Sequence, residues 1–178
     1  PATLAEGIDF SKPGYPDFLA SANGMSGHEP WGRWSDGTPV AFQFKQPLPA
    51  RFTLALIAHA FGPNIGAPIQ VRAGASEQTL TLAADDQTCR LDFTLAAPAD
   101  RLEFSIPQPT SPAELKQGED PRKLGIGLVK LRIESDAPAA VTAALPVYAA
   151  RIATSATRIE VEQGNFAPLT FTVTNQGS

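Results

Sequence analysis

Val40-Ala41-Phe42-Gln43-Phe44-Lys45, then Pro47-Leu48-Pro49, then Phe52-Thr53-Leu54-Ala55-Leu56-Ile57-Ala58 is the stretch on which the fold reading turns. Successive side chains of a strand point to opposite faces, so an apolar residue at every second position marks a half-buried strand. Val40, Phe42 and Phe44 share one face, and the alternation resumes at Phe52 after the proline turn. We read the two runs as paired strands.

Working outward, the same period recurs in Ile69-Gln70-Val71-Arg72, Leu80-Thr81-Leu82, Leu91-Asp92-Phe93-Thr94-Leu95 and Leu102-Glu103-Phe104-Ser105-Ile106. Gly125 to Ile133 closes the series, and Ile8 to Phe10 and Phe18 to Ala20 read as edge strands. Turn-forming breaks separate strands spaced about 8–12 residues apart, the pattern of an all-β antiparallel sandwich. One short helical turn is predicted at Ser111-Pro112-Ala113-Glu114-Leu115, with Ser as N-cap, Pro at the first helical position and Glu at the third. It lies in the longest excursion from the strands, Pro107 to Leu124.

Composition agrees. Seventeen prolines and 14 glycines are too many for a helical protein and too few for a disordered one. The 178 residues suffice for one domain with an appendage. We therefore place a β-sandwich at 1–136, an Ala-rich linker at 137–156, and at 157–178 two strands. These last read as the start of a truncated second Ig-like domain or as swapped edge strands, which could pair two copies of the chain as a homodimer. The start at Pro1 and the stop just after an apparent strand lead us to expect a piece of a longer protein.

A net charge of −4 and the lack of a dense Lys/Arg cluster argue against nucleic acid or an anionic bilayer as partner. No run of about 18 apolar residues is present. Cys89 is the single cysteine, which excludes an intramolecular disulfide and a thiolate metal site. Catalytic patterns are sparse: there is no nucleophile elbow, no glycine-rich phosphate loop and no metal-ligand histidine spacing. His28 and His59 are the near-neutral bases, and His59 falls within a strand-like run that favours a partly buried structural role. We expect no catalytic residues, no cofactor and no metal site. Asp85-Asp86 and Glu119-Asp120 read first as solvated turns, with structural calcium as the lesser alternative.

The densest run of recognition residues is Ser26 to Gly37, which holds both tryptophans. Indole faces stack on sugar C–H surfaces, and carboxylate and guanidinium groups bond hydroxyls directionally. If the segment is extended, Trp31 and Arg33 share one face and Trp34 the other, making Trp31 the platform and Trp34 the core residue. Glu29 with Arg33 reads equally as a hydroxyl clamp or an internal salt bridge. Asp36-Gly37 is a turn, Asn64 carries an amide suited to hydroxyls, and Arg122 either anchors its loop or meets ligand. The candidate ligand-binding residues are Glu29, Trp31, Arg33, Asp36, Asn64 and Arg122.

Gly27 to Gly37, Ala60 to Gly66, Ile106-Pro107 with Ser111 to Leu115, and Asp120 to Leu128 together resemble a β-sandwich accessory domain of large bacterial envelope proteins. These proteins build surface polysaccharides and include glycosyltransferases and phosphoglycerol-transferase-like membrane proteins. The resemblance covers about residues 8–135. It implies a jelly-roll, galactose-binding-like or carbohydrate-module-like fold beside a catalytic or membrane part. With it comes the expectation of a noncatalytic module, envelope-associated, whose partners are a polysaccharide or oligosaccharide and the remainder of the parent protein. The alternative is a structural spacer that binds no glycan.

Overall fold

The computed structural model describes residues 2–135, so the expectations for 137–156 and 157–178, and the strand-edge dimer built on them, lie outside the described residues. The strands are β1 (Ile8–Asp9), β2 (Leu19–Asn23), β3 (Arg33–Trp34), β4 (Val40–Phe44), β5 (Arg51–Ala60), β6 (Ile69–Ala73), β7 (Ser76–Leu80), β8 (Gln87–Thr94), β9 (Arg101–Ser105) and β10 (Ile126–Glu134). They form two five-stranded antiparallel sheets. One runs β1-β10-β5-β8, with β3 also pairing β10, and the other runs β2-β4-β9-β6-β7. The chain is an all-β sandwich.

The decisive stretch holds both strands as read but not their pairing. β4 lies between β2 and β9 in one sheet, while β5 lies between β10 and β8 in the other. Pro47 and Pro49 have no N–H to contribute to a hairpin ladder, and Leu48 between them is buried, 4% exposed. The connection is thus a corner between sheets, pinned by Leu48. Alternation identifies a buried face in each strand without saying which neighbour it pairs.

The inward faces meet in one core. Phe42, Phe104, Ile69 and Val71 come from one sheet and Leu54, Leu56, Leu128 and Ile133 from the other, all at most 2% exposed. Each such side chain contributes about 1.5–3 kcal/mol by leaving water. Phe42 packs on Phe10 and Phe104 at centroid distances of 5.7 and 6.2 Å. At the open edges, Gln78 Nε2 donates to the Asp92 carbonyl at 2.8 Å and ties β7 to β8.

The capping box at Ser111 forms without a helix. Ser111 N–H donates to Glu114 Oε2 at 2.9 Å and Glu114 N–H to Ser111 Oγ at 3.2 Å. The chain then curls out, with Lys116 at φ 58° and Gln117 N–H reaching back to the Pro112 carbonyl. One capped turn does not repay helix nucleation. Among the described residues the helical element is instead a 3-10 turn, Gly62–Asn64. β7 also departs from its expected place: it begins at Ser76, four residues before Leu80, after a tight turn at Gly74 and Ala75.

Candidate functional site

The site is built on the outward face of the β10-β5 sheet. Buried Ala58 and Ala60 face the core, so His59 between them points out. In register with His59 is Gly127 of β10, and in register with Gly127 on its other side is Trp34 of β3. A Cβ on Gly127 would stand 2.2 Å from His59 Nε2, so the absent side chain is the space the imidazole occupies. Two aromatic rings from strands that are not neighbours therefore meet over the strand between them, Trp34 on His59 at 4.7 Å and 86°. Phe61 adds an edge contact to Trp34 at 5.8 Å.

Trp31 completes this cluster, against the expected division of the tryptophans. Glu29 N–H donates to the Gly32 carbonyl at 2.7 Å and Gly32 N–H to the Glu29 carbonyl at 3.1 Å, closing a tight turn over Pro30 and Trp31. Strand alternation does not carry through such a turn. Trp31 consequently lies on the same side as Trp34, at 5.0 Å and 69°, and on His59 at 4.9 Å. Gly32 makes the approach to β10 possible, since a Cβ there would fall 2.3 Å from the Leu128 carbonyl oxygen.

Arg33, expected beside Trp31, points the other way. It pairs with Leu128, whose side chain is in the core, and is itself only 7% exposed. Its guanidinium donates to the carbonyls of Phe10, Lys12 and Gly14 and lies 4.4 Å over the Tyr15 ring. Burial beside this cation pushes the Tyr15 hydroxyl upward, desolvation outweighing the charge. Arg33 fastens the chain between β1 and β2 and has no side facing a ligand.

Glu29 takes a different partner from the one its sequence neighbourhood offers. Its Oε2 accepts Trp31 Nε1–H at 3.0 Å and its Oε1 accepts Arg122 Nη1–H at 3.1 Å. Arg122 also forks onto Asp120, with Nη2–Oδ2 at 2.6 Å. The Asp120 carboxylate, bound by this guanidinium, is held below the usual range, and the guanidinium above its own. Glu29 and Arg122 each remain one-third exposed. One N–H on each terminal nitrogen of Arg122 stays available for a hydroxyl.

Asp36 and Asn64 are brackets for the Pro107–Leu124 loop. Exposed Asp36 accepts Lys123 N–H through Oδ1 at 2.9 Å. Asn64 is fully buried, its Oδ1 accepting Gln108 N–H and its Nδ2 donating to the Gln108 and Phe61 carbonyls. Of the six residues singled out, the structure brings Glu29, Trp31 and Arg122 together, sets Asp36 behind them, and places Asn64 and Arg33 inside.

Two members of this site carry no recognition signal in the sequence. His59, expected to be a partly buried structural residue, bonds Asp86, Nδ1 to Oδ1 at 2.6 Å, with 13% of its side chain exposed. It is nevertheless the floor on which both indoles rest. Gly127 carried no signal that separates a ring-sized gap from an ordinary strand glycine. As for metal, among the described residues no group of three His, Cys, Asp or Glu side chains converges. Asp86 and Asp120 each spend oxygen on a cationic or imidazole partner.

Chemically, the arrangement is a part-exposed indole seated on a second indole and an imidazole, rimmed by Glu29, Arg122 and Asp86. It offers an apolar ring face beside directed donors and acceptors.

Three comparisons bear on it. The family described as "Domain of unknown function (DUF7024)" matches residues 2–135. Phosphoglycerol transferase I of Salmonella typhimurium strain LT2 and that of Salmonella typhi are each 41% identical to this chain over 133 residues, covering 72% of it. The match spans 17% of the length of those curated relatives. Among solved structures, a CBM29-2 variant complexed with cellulohexaose superposes with a TM-score of 0.50 at 12% identity, covering 72% of this chain and 88% of that one. A second variant, complexed with mannohexaose, gives 0.50 at 13% identity, covering 72% and 89%. At such identity the likeness is one of fold: two sheets packed as in a carbohydrate-binding-module sandwich.

Proposed function

The chain belongs to the DUF7024 family, and from that premise we propose that it is a noncatalytic carbohydrate-binding accessory module of an enzyme that builds bacterial cell-surface polysaccharide. Its partners in this reading are a polysaccharide or oligosaccharide and the remainder of the parent protein, at the cell envelope. The observation that carries the proposal is Trp31, held part-exposed on Trp34 and His59 with its indole N–H fixed by Glu29. A ring positioned this way presents one face to a sugar with little ordering cost. Glu29 and Arg122 beside it supply an acceptor and donors for hydroxyls. Homology to phosphoglycerol transferases supports the polysaccharide setting, and the sandwich is a fold on which glycan sites are built. Single-site affinity of this kind is modest and gains from tethering to the enzyme that holds the same chain.

A glycan array followed by calorimetric titration tests it. Trp31→Ala is expected to weaken binding at least tenfold while the domain still melts cooperatively. A spacer that orients the enzyme without binding glycan is the second reading, favoured by one observation: no buried side-chain nitrogen or oxygen among the described residues lacks a hydrogen-bond partner. That reading wins if no envelope glycan binds and Trp31→Ala unfolds the domain.

A further inference from the structure

We infer that the proton on His59 tunes the Trp31 platform: glycan binds more tightly when the imidazole is charged, and Asp86 is the positioning residue through which the charge acts. This rests on the carbohydrate reading above and adds to it the regulation of that same site.

The geometry around the ring sets where the proton goes. β5 carries His59 outward between Ala58 and Ala60, over the bare backbone of Gly127. One step beyond the Ala58–Gln87 pair of the β5–β8 ladder, Asp86 Oδ1 lies 2.6 Å from His59 Nδ1. A carboxylate only accepts, so Nδ1 carries the hydrogen of the neutral ring and Nε2 the lone pair. Nε2 has no hydrogen-bond partner among the described residues, and no buried side-chain nitrogen there lacks one, so Nε2 touches solvent. A proton reaches it without the cluster opening. Histidine is the side chain that exchanges this charge between about pH 5 and 8.

The platform feels the change directly, because Trp31 packs on this ring at 4.9 Å and Trp34 at 4.7 Å. Charging the ring converts its hydrogen bond to Asp86 into an ion pair. The groups that face it are few: Asp86, with Asp85 next to it in sequence, from the turn before β8; Gly127 from β10; Trp34 from β3; and Trp31 from the Glu29–Gly32 turn, with Glu29 on its indole N–H. Of the cations in the neighbouring elements, Arg122 is taken up by Glu29 and Asp120, and Lys130 of β10 is in register with Ile57, two residues from His59. The imidazolium thus meets a carboxylate and indole rings. A ring fixed by an ion pair holds Trp31 in one orientation, and an oriented platform loses less freedom when a sugar stacks on it. Coupling is reciprocal, so glycan must raise the titration midpoint of His59 by the same factor.

The test uses the 178-residue chain at pH 5.5 and pH 8, a window in which the Glu114 and Asp120 carboxyls, both held low, stay ionised. Cellohexaose and mannohexaose are titrated by calorimetry, and nuclear magnetic resonance follows the His59 ring and the Trp31 indole N–H without ligand. Affinity is expected to be at least threefold higher at pH 5.5, and the Trp31 resonance should move with the His59 midpoint. His59→Gln should abolish the pH dependence. Asp86→Asn keeps the ring and removes the charge, and it should cut the gain to about 1.5-fold or less while the domain still melts cooperatively; His28→Gln should leave the gain intact. The inference is overturned, with the carbohydrate reading standing, if affinity is equal at the two pH values, if the gain survives in His59→Gln or in Asp86→Asn, or if the Trp31 resonance ignores the titration of His59. If neither hexasaccharide binds at either pH, the carbohydrate reading itself fails and takes this inference with it.

Discussion

On the outward face of β4, β9, β6 and β7, charged side chains bind their own neighbours: Arg101 Nε bonds Glu103 at 2.7 Å, and Arg72 Nη2 bonds Glu77 at 2.7 Å across the β6–β7 ladder. On the opposite face of the sandwich, a row of Trp34, Gly127 and His59 crosses three strands, and the rings lean over the glycine. Both faces alternate with a buried side and both look outward. The difference is one missing side chain. Where arginine and glutamate face one another, as at Arg72 and Glu77, the pair closes on itself and leaves a solvated surface. Where Gly127 carries no side chain, flat apolar rings fill the gap and part of an indole stays uncovered.

The sharpest way to break that contrast is to fill the gap. In Gly127→Val the new Cβ would lie 2.2 Å from His59 Nε2 and 2.5 Å from Cε1, and those atoms belong to a ring held from above by two indoles. Overpacking of this sort costs about 1–3 kcal/mol. Urea denaturation should show a loss in that range, and near-ultraviolet circular dichroism should lose the signal of the packed tryptophans. A loss below about 0.5 kcal/mol would mean that the rings do not depend on the glycine.

A smaller effect is expected from Arg122→Gln, which removes the fork onto Asp120 and the bond to Glu29. Glu29 and Arg122 are each one-third exposed, so solvent screens the pair and its coupling should be about 0.5–1 kcal/mol. A double-mutant cycle with Glu29→Gln measures it. Coupling indistinguishable from zero would detach the Pro107–Leu124 loop from the Trp31 turn. The sequence held no sign of this partnership, because Glu29 and Arg122 are 93 residues apart and meet only through the fold.

That distance marks the limit of what was legible. Period-two alternation located β4, β5, β8, β9 and β10 because each turns apolar residues toward the core, although β8 buries only Phe93 fully and β10 shifts register between Leu128 and Lys130. It did not separate β4 from β5 into different sheets, since a corner through Pro47 and Pro49 and a hairpin both leave the alternation intact. β3 is two residues long and has no period to read. Strand alternation puts the tryptophans on opposite faces, and the Glu29–Gly32 turn reverses the segment between them. The composition of the site was visible, and its orientation was not, because orientation depended on backbone bonds and on glycines that leave no pattern.

Acid should loosen the Pro107–Leu124 loop. Lys123 bonded to Glu114, with the Ser111 amide, lowers the Glu114 carboxyl from its ordinary 4.5 to about 2, and Arg122 lowers Asp120 from 3.8. A depressed folded-state value means that the contribution is fully present above the unfolded value and is lost as pH falls through the folded one. Anchoring of the Pro107–Leu124 loop is therefore expected to be complete at pH 5 and to fade between about 4.5 and 2. Amide hydrogen exchange of that loop, corrected for intrinsic rates, reads this directly. In Glu114→Gln the faster exchange should already be present at pH 5; an unchanged acid profile would show that the ion pair does not hold the loop.

The least effect is expected where the charges bind one another in the open. Arg72 is exposed, and its guanidinium is raised above its usual value first by the hydrogen bond to Glu77 and then by that residue's charge. Because solvent screens the pair, Arg72→Gln should leave the urea midpoint where it was and should leave glycan affinity unaltered. The value of this variant is its symmetry with Arg90→Gln: both remove one exposed arginine from the outward surface of a strand, and both break a bond of 2.7 Å to a glutamate. Only the face differs. If Arg72→Gln lowers glycan affinity tenfold and Arg90→Gln does not, recognition resides on the β4-β9-β6-β7 surface and the aromatic cluster serves the fold alone; the reverse result places recognition on the sheet that carries Trp31, because the chemistry of the two substitutions is otherwise the same.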